Sequence, residues 1–330
     1  MNNIQKSAIK LIKNDLRFLY SLIIGINDTN LRAEYTLALL PYIGVVIDGV
    51  ENWLNSYNNS SKTKIIAPKF TAEEKEHYSL MRNTIKLWNN DFNTICQKLN
   101  ELYCESDVYF ANLCQPLARH LKLYDIYGVF TVNRIMCNNT ILSAYYYPNY
   151  SLHNIDGEKI KSISEIAGKY IAMFGSNKPF NICKNIIYDN IDYGGFIKSP
   201  VGNKFSTNFV LLCLMCQINF VTECINKTVL DEVSTKLRFG YLLYYYICKA
   251  INNINNQCKT DFTINNKYYS TKFRNAMAHY KLGVCLSESD LIKDDLFFGL
   301  TDKMINQPYQ KVKILFIKNL KTYQNRLSFI

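Results

Sequence analysis

Proline and glycine are scarce in this chain, at 7 and 13 of 330 residues, which excludes collagen-like and proline-rich repetitive architectures. Tryptophan occurs twice and histidine four times, so any chemistry built on imidazole has few candidates. Acid is short as well. Against 38 lysines and arginines stand 27 aspartates and glutamates, a formal charge of +11 with a pI near 9.0. Such a field attracts polyanions, nucleic acid foremost, although the crowding of Asn, Lys, Ile and Tyr is also a profile that genome base composition imposes. Long apolar runs are lacking too. The most apolar charge-free stretch, Phe209 to Thr222, is too short to span a bilayer and contains Gln217 and Asn219. The amino terminus alternates Lys6, Lys10, Lys13 and Arg17 with short apolar steps and shows no signal-peptide core. These features predict a cytoplasmic protein without membrane association.

What is present is a globular composition, 48% hydrophobic and 20% charged, which excludes a disordered chain. Eleven cysteines, an odd number, sit mostly inside apolar runs such as Leu211-Leu212-Cys213-Leu214-Met215-Cys216, as reduced buried thiols do. Cys213 and Cys216 have a metal-ligand spacing, yet no second such pair or histidine pair accompanies them, so no metal and no cofactor is expected.

Apolar residues recur at three- and four-residue spacing through most of the chain, which predicts a mainly α protein. The length suggests two domains at roughly 150 residues each. The turn signals Gly175-Ser176-Asn177-Lys178-Pro179, Asp192-Tyr193-Gly194-Gly195 and Ser199-Pro200-Val201-Gly202 place a linker at 176–202, between a mostly helical domain 1–175 of unassigned role and a helical domain 203–330. The tyrosine-rich stretch Thr140 to Ser151 reads as extended, and Ser56 to Lys69 as a loop. Beyond the linker four helices are expected: Ser206 to Lys227; Asp231 to about Asn256, with Asp231 as its cap; a short third from Tyr268 or Ser270 to Lys281, ended by Gly283; and a fourth from Pro308 almost to Ile330. Together they make a small four-helix bundle. An acidic loop with Glu288, Asp290, Asp294, Asp295 and Asp302 precedes the fourth helix. On that helix Val312, Leu315, Phe316, Leu320 and Tyr323 gather on one face, while Lys311, Lys318 and Lys321 lie opposite, either as a solvated face or as a stripe that tracks phosphates.

Of the histidines, His77, His120 and His153 lie in charged or tyrosine-rich surroundings and read as structural or solvent-facing. His279 closes the run Arg274-Asn275-Ala276-Met277-Ala278-His279 on the third helix. There Tyr269, Phe273, Ala276, Met277 and Tyr280 form an apolar stripe for the core, leaving Arg274, Asn275, Ala278 and His279 outward. Asn275 and His279 stack one turn apart, and Arg274 lies about 140° round the helix from His279. Either this is a surface His–Asn pair with the arginine bonded to an acid, or it is a notch for phosphate. Breaking an RNA phosphodiester without metal requires proton transfer at the 2′-hydroxyl and at the departing 5′-oxygen, and a cation on the phosphorane. Histidine titrates near neutrality and suits the first task; arginine offers a permanently charged fork for the second. Asn275 would fix the ring or bind a phosphate oxygen. One motif supplies few groups, so the chemistry predicts a homodimer through the motif-bearing helix.

Arg274-Asn275-x-x-x-His279 in the short third helix of a four-helix bundle resembles the signature of HEPN domains, helical ribonuclease modules of toxin–antitoxin, abortive-infection and CRISPR-ancillary systems. The likeness covers residues 203–330. It implies a dimeric, metal-independent endoribonuclease that leaves a 2′,3′-cyclic phosphate, with Arg274 and His279 as the catalytic pair and Asn275 in support, acting as a toxin or defence effector under an antitoxin or regulatory partner. In the subset paired with nucleotidyltransferase antitoxins a tyrosine stands two after the histidine; here Tyr280 is adjacent. The competing readings are a non-catalytic module that holds RNA or a protein through Lys311, Lys318 and Lys321, and a purely structural dimerisation domain.

Overall fold

The computed structural model describes residues 2–26, 32–114, 128–147, 157–192, 205–263, 265–280, 286–292 and 295–327, and the chain they trace is mainly helical. Helix α1 (Asn3–Gly25) starts at a capping box in which the Asn2 side chain accepts from the Gln5 amide and Gln5 returns the bond. Helix α2 (Arg32–Ser60) runs beside α3 (Ala72–Thr84), which opens on a second capping box, Thr71 with Glu74. The two helices approach closely at Gly44, where a β-carbon would lie 2.5 Å from the Arg82 amide nitrogen. Helix α4 (Phe92–Cys114) follows a single 3₁₀ turn at Leu87–Asn89. The strands β1 (Gly128–Val132), β2 (Ile135–Asn139) and β3 (Tyr188–Asp192) form a small antiparallel sheet in the order β2-β1-β3.

The stretch expected to be extended is helical. Asn139 closes β2 and caps α5 (Thr140–Tyr146), its side chain accepting from the Leu142 amide. Local capping and the burial of Ile141, Leu142 and Tyr146 override the β preference of the tyrosines. The expected turns within 193–202 lie outside the described residues. After α6 (Gly157–Met173) comes α7 (Phe205–Asn219), which continues through a π-helical segment, Phe220–Ile225, into a closing turn at Asn226–Thr228. The continuous helix matches the expected Ser206 to Lys227 to within a residue at each end. Two helical stretches, Glu34–Ser60 and Thr207–Thr228, are long and apolar enough to cross a membrane by length and composition, but 78% and 89% of their apolar windows are buried within the protein. The amides that interrupt the second are used internally: Gln217 joins Trp88 to Tyr146, and Asn219 donates to the Met136 carbonyl at 2.7 Å. Cys213 and Cys216 are fully buried in the core, with the Asn139 amide 3.4 and 4.0 Å from their sulfurs.

Helix α8 (Ser234–Cys258) begins three residues later than expected. Asp231 does not cap it; its carboxylate accepts from the backbone and side-chain nitrogens of Asn181 at 2.6 and 2.9 Å and ties residue 181 to the start of the helix. Helix α9 (Thr271–His279) carries the motif and ends earlier than expected. The expected terminator, Gly283, lies outside the described residues, and Tyr280 itself turns left-handed at φ 48°. The acidic segment is not all loop: Asp295 caps α10 (Leu296–Ile305) by accepting from the Phe297 amide at 2.8 Å. Helix α11 (Tyr309–Leu327) buries Val312, Phe316 and Leu320 as the helical phase required.

One core runs through both sides of the 176–202 boundary. Phe239 of α8 packs on Phe18 of α1 and Tyr42 of α2, with ring centroids 6.1 and 4.8 Å apart, and β3 pairs with β1. The two halves share their hydrophobic interior and do not part at the turns.

Candidate functional site

Helix α9 is short because both ends are set by side chains. Ser270 caps the start, its hydroxyl accepting from the Phe273 amide at 3.2 Å, and Tyr241 fixes the approach by donating to the carbonyls of Tyr268 and Ser270. At the far end the Tyr280 ring lies against α2 at Gly49, where a β-carbon would come within 2.7 Å of it. The Tyr280 hydroxyl donates to Asp15 of α1, which also accepts from Thr235 and from the Arg238 guanidinium. Arg238 lies over the Tyr280 ring at 4.1 Å and is fully buried. Burial drives the Tyr280 phenol far above its ordinary range, and the Asp15 carboxylate that accepts its proton adds to this.

The predicted site residues distribute as follows. Phe273, Ala276, Met277 and Tyr280 are in the core, as the apolar stripe required, and Tyr269 is half-buried. Asn275 is exposed, as is Lys272 on the same edge. His279 is the last residue of the helix; its side chain lies outside the described residues. Ala278, expected in the outward notch, is buried, because α9 packs against α2 there. Arg274 is half-buried and lies over two tyrosines of α8, with its guanidinium carbon 5.2 Å from the Tyr245 ring centre and 5.8 Å from that of Tyr246. Among the described residues it forms no ion pair, and its buried Nε has no hydrogen-bond partner.

The tyrosines beneath it were not singled out in the sequence. Tyr245 and Tyr246 are 2% exposed each. Tyr245 stacks flat on Tyr269 with ring centres 4.5 Å apart, accepts its hydroxyl proton at 3.1 Å, and meets the Thr271 hydroxyl at 3.0 Å. Burial pushes the Tyr245 phenol up, but hydrogen bonding from Thr271, Tyr269 and Arg274, with the charge of Arg274, more than offsets it and leaves the group below the usual phenol range. A signal existed in the run Tyr244-Tyr245-Tyr246, which on one helix must send a ring to each side.

The lysines of α11 stand apart from this cluster. Lys311 and Lys318 are exposed, and Lys321, also exposed, lies 4.0 Å from the buried carboxylate of Glu223, which Lys227 pairs as well. Among the described residues the stripe is thus two cations without an ion-paired acid and one beside a carboxylate. His77 is buried, with Nε2 3.7 Å from Glu73, so it does not face solvent; His120 and His153 lie outside the described residues. Comparison of the chain with protein-family models, with curated proteins and with solved structures gives no match in any of the three.

Proposed function

We propose that the chain is a metal-independent endoribonuclease of the HEPN type, working as a homodimer through α9 and serving as a toxin or antiviral-defence effector under a regulatory or antitoxin partner. In this reading His279 transfers protons between the 2′-hydroxyl, the 5′-oxygen and solvent, and Arg274 holds the phosphorane. The 2′-oxygen bonds to phosphorus, the bond to the 5′-oxygen breaks, and the products are a 2′,3′-cyclic phosphate and a free 5′-hydroxyl. Asn275 orients the imidazole or binds a phosphate oxygen. The observation that carries the reading is the state of Arg274: a half-buried guanidinium, laid on tyrosine faces and without a carboxylate among the described residues. A structural arginine at that depth would be paired, and an arginine meant for phosphate is held and left open. With Ala278 covered by α2, the edge open to a second copy is the one that carries Lys272 and Asn275 and, by helical phase, position 279.

The test is cleavage of single-stranded RNA in buffer containing EDTA. His279→Ala is expected to lower the rate by about 10²-fold or more, the usual worth of a general acid–base group. Cleavage at the wild-type rate would remove the mechanism. The second reading, a module that holds RNA without cutting it, is favoured by the exposed Lys311 and Lys318, which form no ion pair among the described residues. A gel-shift separates the two, because that module retards RNA and leaves its length unchanged.

A further inference from the structure

Between α10 and the start of α11 lies an open cavity of about 240 Å³, lined by Ile292, Phe298, Asp302, Pro308, Tyr309 and Gln310. None of these residues belongs to α8 or α9. Phe298 and Asp302 are four apart on α10 and therefore share one face, the carboxylate a turn beyond the ring. The Tyr309 ring stands perpendicular to the Phe298 ring, with centres 4.5 Å apart, and its hydroxyl donates to the Val233 carbonyl at 3.3 Å. Phe298 is half-buried and Tyr309 buried, so the two rings form a fixed apolar corner, which exposed Ile292 and Pro308 extend.

Asp302 is the one charged residue in that lining, and among the described residues it forms no ion pair. The acids on either side of it in the fold are engaged. Asp295 caps the start of the same helix, and Asp290 accepts from Lys303, the neighbour of Asp302 in the chain. Asp302 instead adds its charge to the last turn of α10, an end that is already partly negative, and its full charge outweighs the partial positive charge at the start of α11. Aromatic faces also attract cations, and no cation among the described residues lies over Phe298 or Tyr309. A metal ion would find one carboxylate among apolar walls, too few oxygens to replace its water, whereas an organic cation matches both parts of the lining. The volume lies below the roughly 300–1,000 Å³ of sites for drug-sized molecules, so the guest is small.

We propose that this cavity binds a small organic ammonium ion with an apolar body. The carbon portion lies against Phe298, Tyr309 and Ile292, the charge sits beside Asp302, and the exposed Gln310 amide closes the rim. The site is separate from α9 and does not depend on the ribonuclease reading.

The experiment titrates the full-length protein with benzylammonium and, separately, with benzyl alcohol, which has nearly the same shape and no charge, and follows the NMR signals of the probes. Benzylammonium is expected to bind more tightly than the alcohol. Asp302→Asn, a change at an exposed position, is expected to weaken benzylammonium about fivefold, the worth of a solvent-facing charge pair, and to leave benzyl alcohol unchanged. In the wild-type protein, raising salt from about 50 to about 500 mM is expected to weaken benzylammonium alone, which tests the charge without any substitution. Equal affinity for the two probes, benzylammonium binding that ignores both Asp302→Asn and salt, or no binding of benzylammonium by the wild-type protein would each overturn the proposal.

Discussion

Two arginines, Arg238 and Arg274, lie on neighbouring helices, each across a buried tyrosine, and they differ in depth and in whether an acid meets them. Arg238 is fully buried, covers Tyr280 at 4.1 Å, and is neutralised by Asp15. Arg274 is half-buried, covers Tyr245 at 5.2 Å, and among the described residues has no acid. The phenols differ as well: the one under Arg238 is driven up by burial and by its carboxylate acceptor, whereas of the two under Arg274 burial drives Tyr246 up and hydrogen bonds from Thr271, Tyr269 and Arg274 hold Tyr245 low. The first arrangement is closed on itself and fastens α1, α2 and α8 to the end of α9. The second holds a half-buried charge with no acid among the described residues. A buried guanidinium with its carboxylate serves the fold, whereas the proposal made above assigns the one without to a ligand.

Removing the carboxylate from the closed arrangement should have the largest effect. Asp15→Ala strands the Arg238 guanidinium in the core and is expected to destabilise the protein by about 3–5 kcal/mol in chemical denaturation, whereas Arg274→Ala should cost about 1 kcal/mol or less. Equal losses would erase the distinction. Gly49→Ala comes next: its β-carbon would stand 2.7 Å from the Tyr280 ring and 3.3 Å from Arg238, so a loss of roughly 1–3 kcal/mol is expected. A smaller, graded effect follows from pH. Burial pushes Cys248 up to about 11, Cys216 and Cys224 to about 12 and Tyr145 to about 12, while unfolded thiols and phenols ionise near about 8.5 and 10. The fold keeps these protons longer than the unfolded chain does. Stability from these groups is therefore full below about pH 8.5 and is lost as pH rises through 11 to 12. Urea midpoints at pH 7, 9 and 10.5 check this. In the same titration, followed by phenolate absorbance, the early-ionising Tyr245 should move to higher pH in Arg274→Ala.

Much of α9 was legible. A start near Tyr268 or Ser270, of which Ser270 proves to be the cap, and an inner stripe of Phe273, Ala276 and Met277 follow from local sequence and helical phase. Its end was not, because Tyr280 is turned by contacts with Gly49, Arg238 and Asp15 that lie far off in sequence. Distance also explains the boundary. Turn residues at 176–202 suggested two domains, yet the partners of Asp15 are residues 235, 238 and 280, and no local pattern announces such a bond. Asp231 and Asp295 show the same limit from both sides. Each was a plausible cap, but Asp231 is occupied by Asn181, and Asp295, read as part of an acidic loop, does cap a helix. Whether Arg274 meets an acid could not be read at all, since the rings beneath it come from residues 245 and 246 of another helix.

The most direct measurement is the affinity of Arg274→Ala for single-stranded RNA across 50 to 200 mM salt, beside its melting temperature. The expected result is a loss of about tenfold or more with a shallower salt slope and nearly unchanged melting. An unchanged affinity, or a collapse in stability like that expected of Asp15→Ala, would contradict the assignment of Arg274 to a ligand.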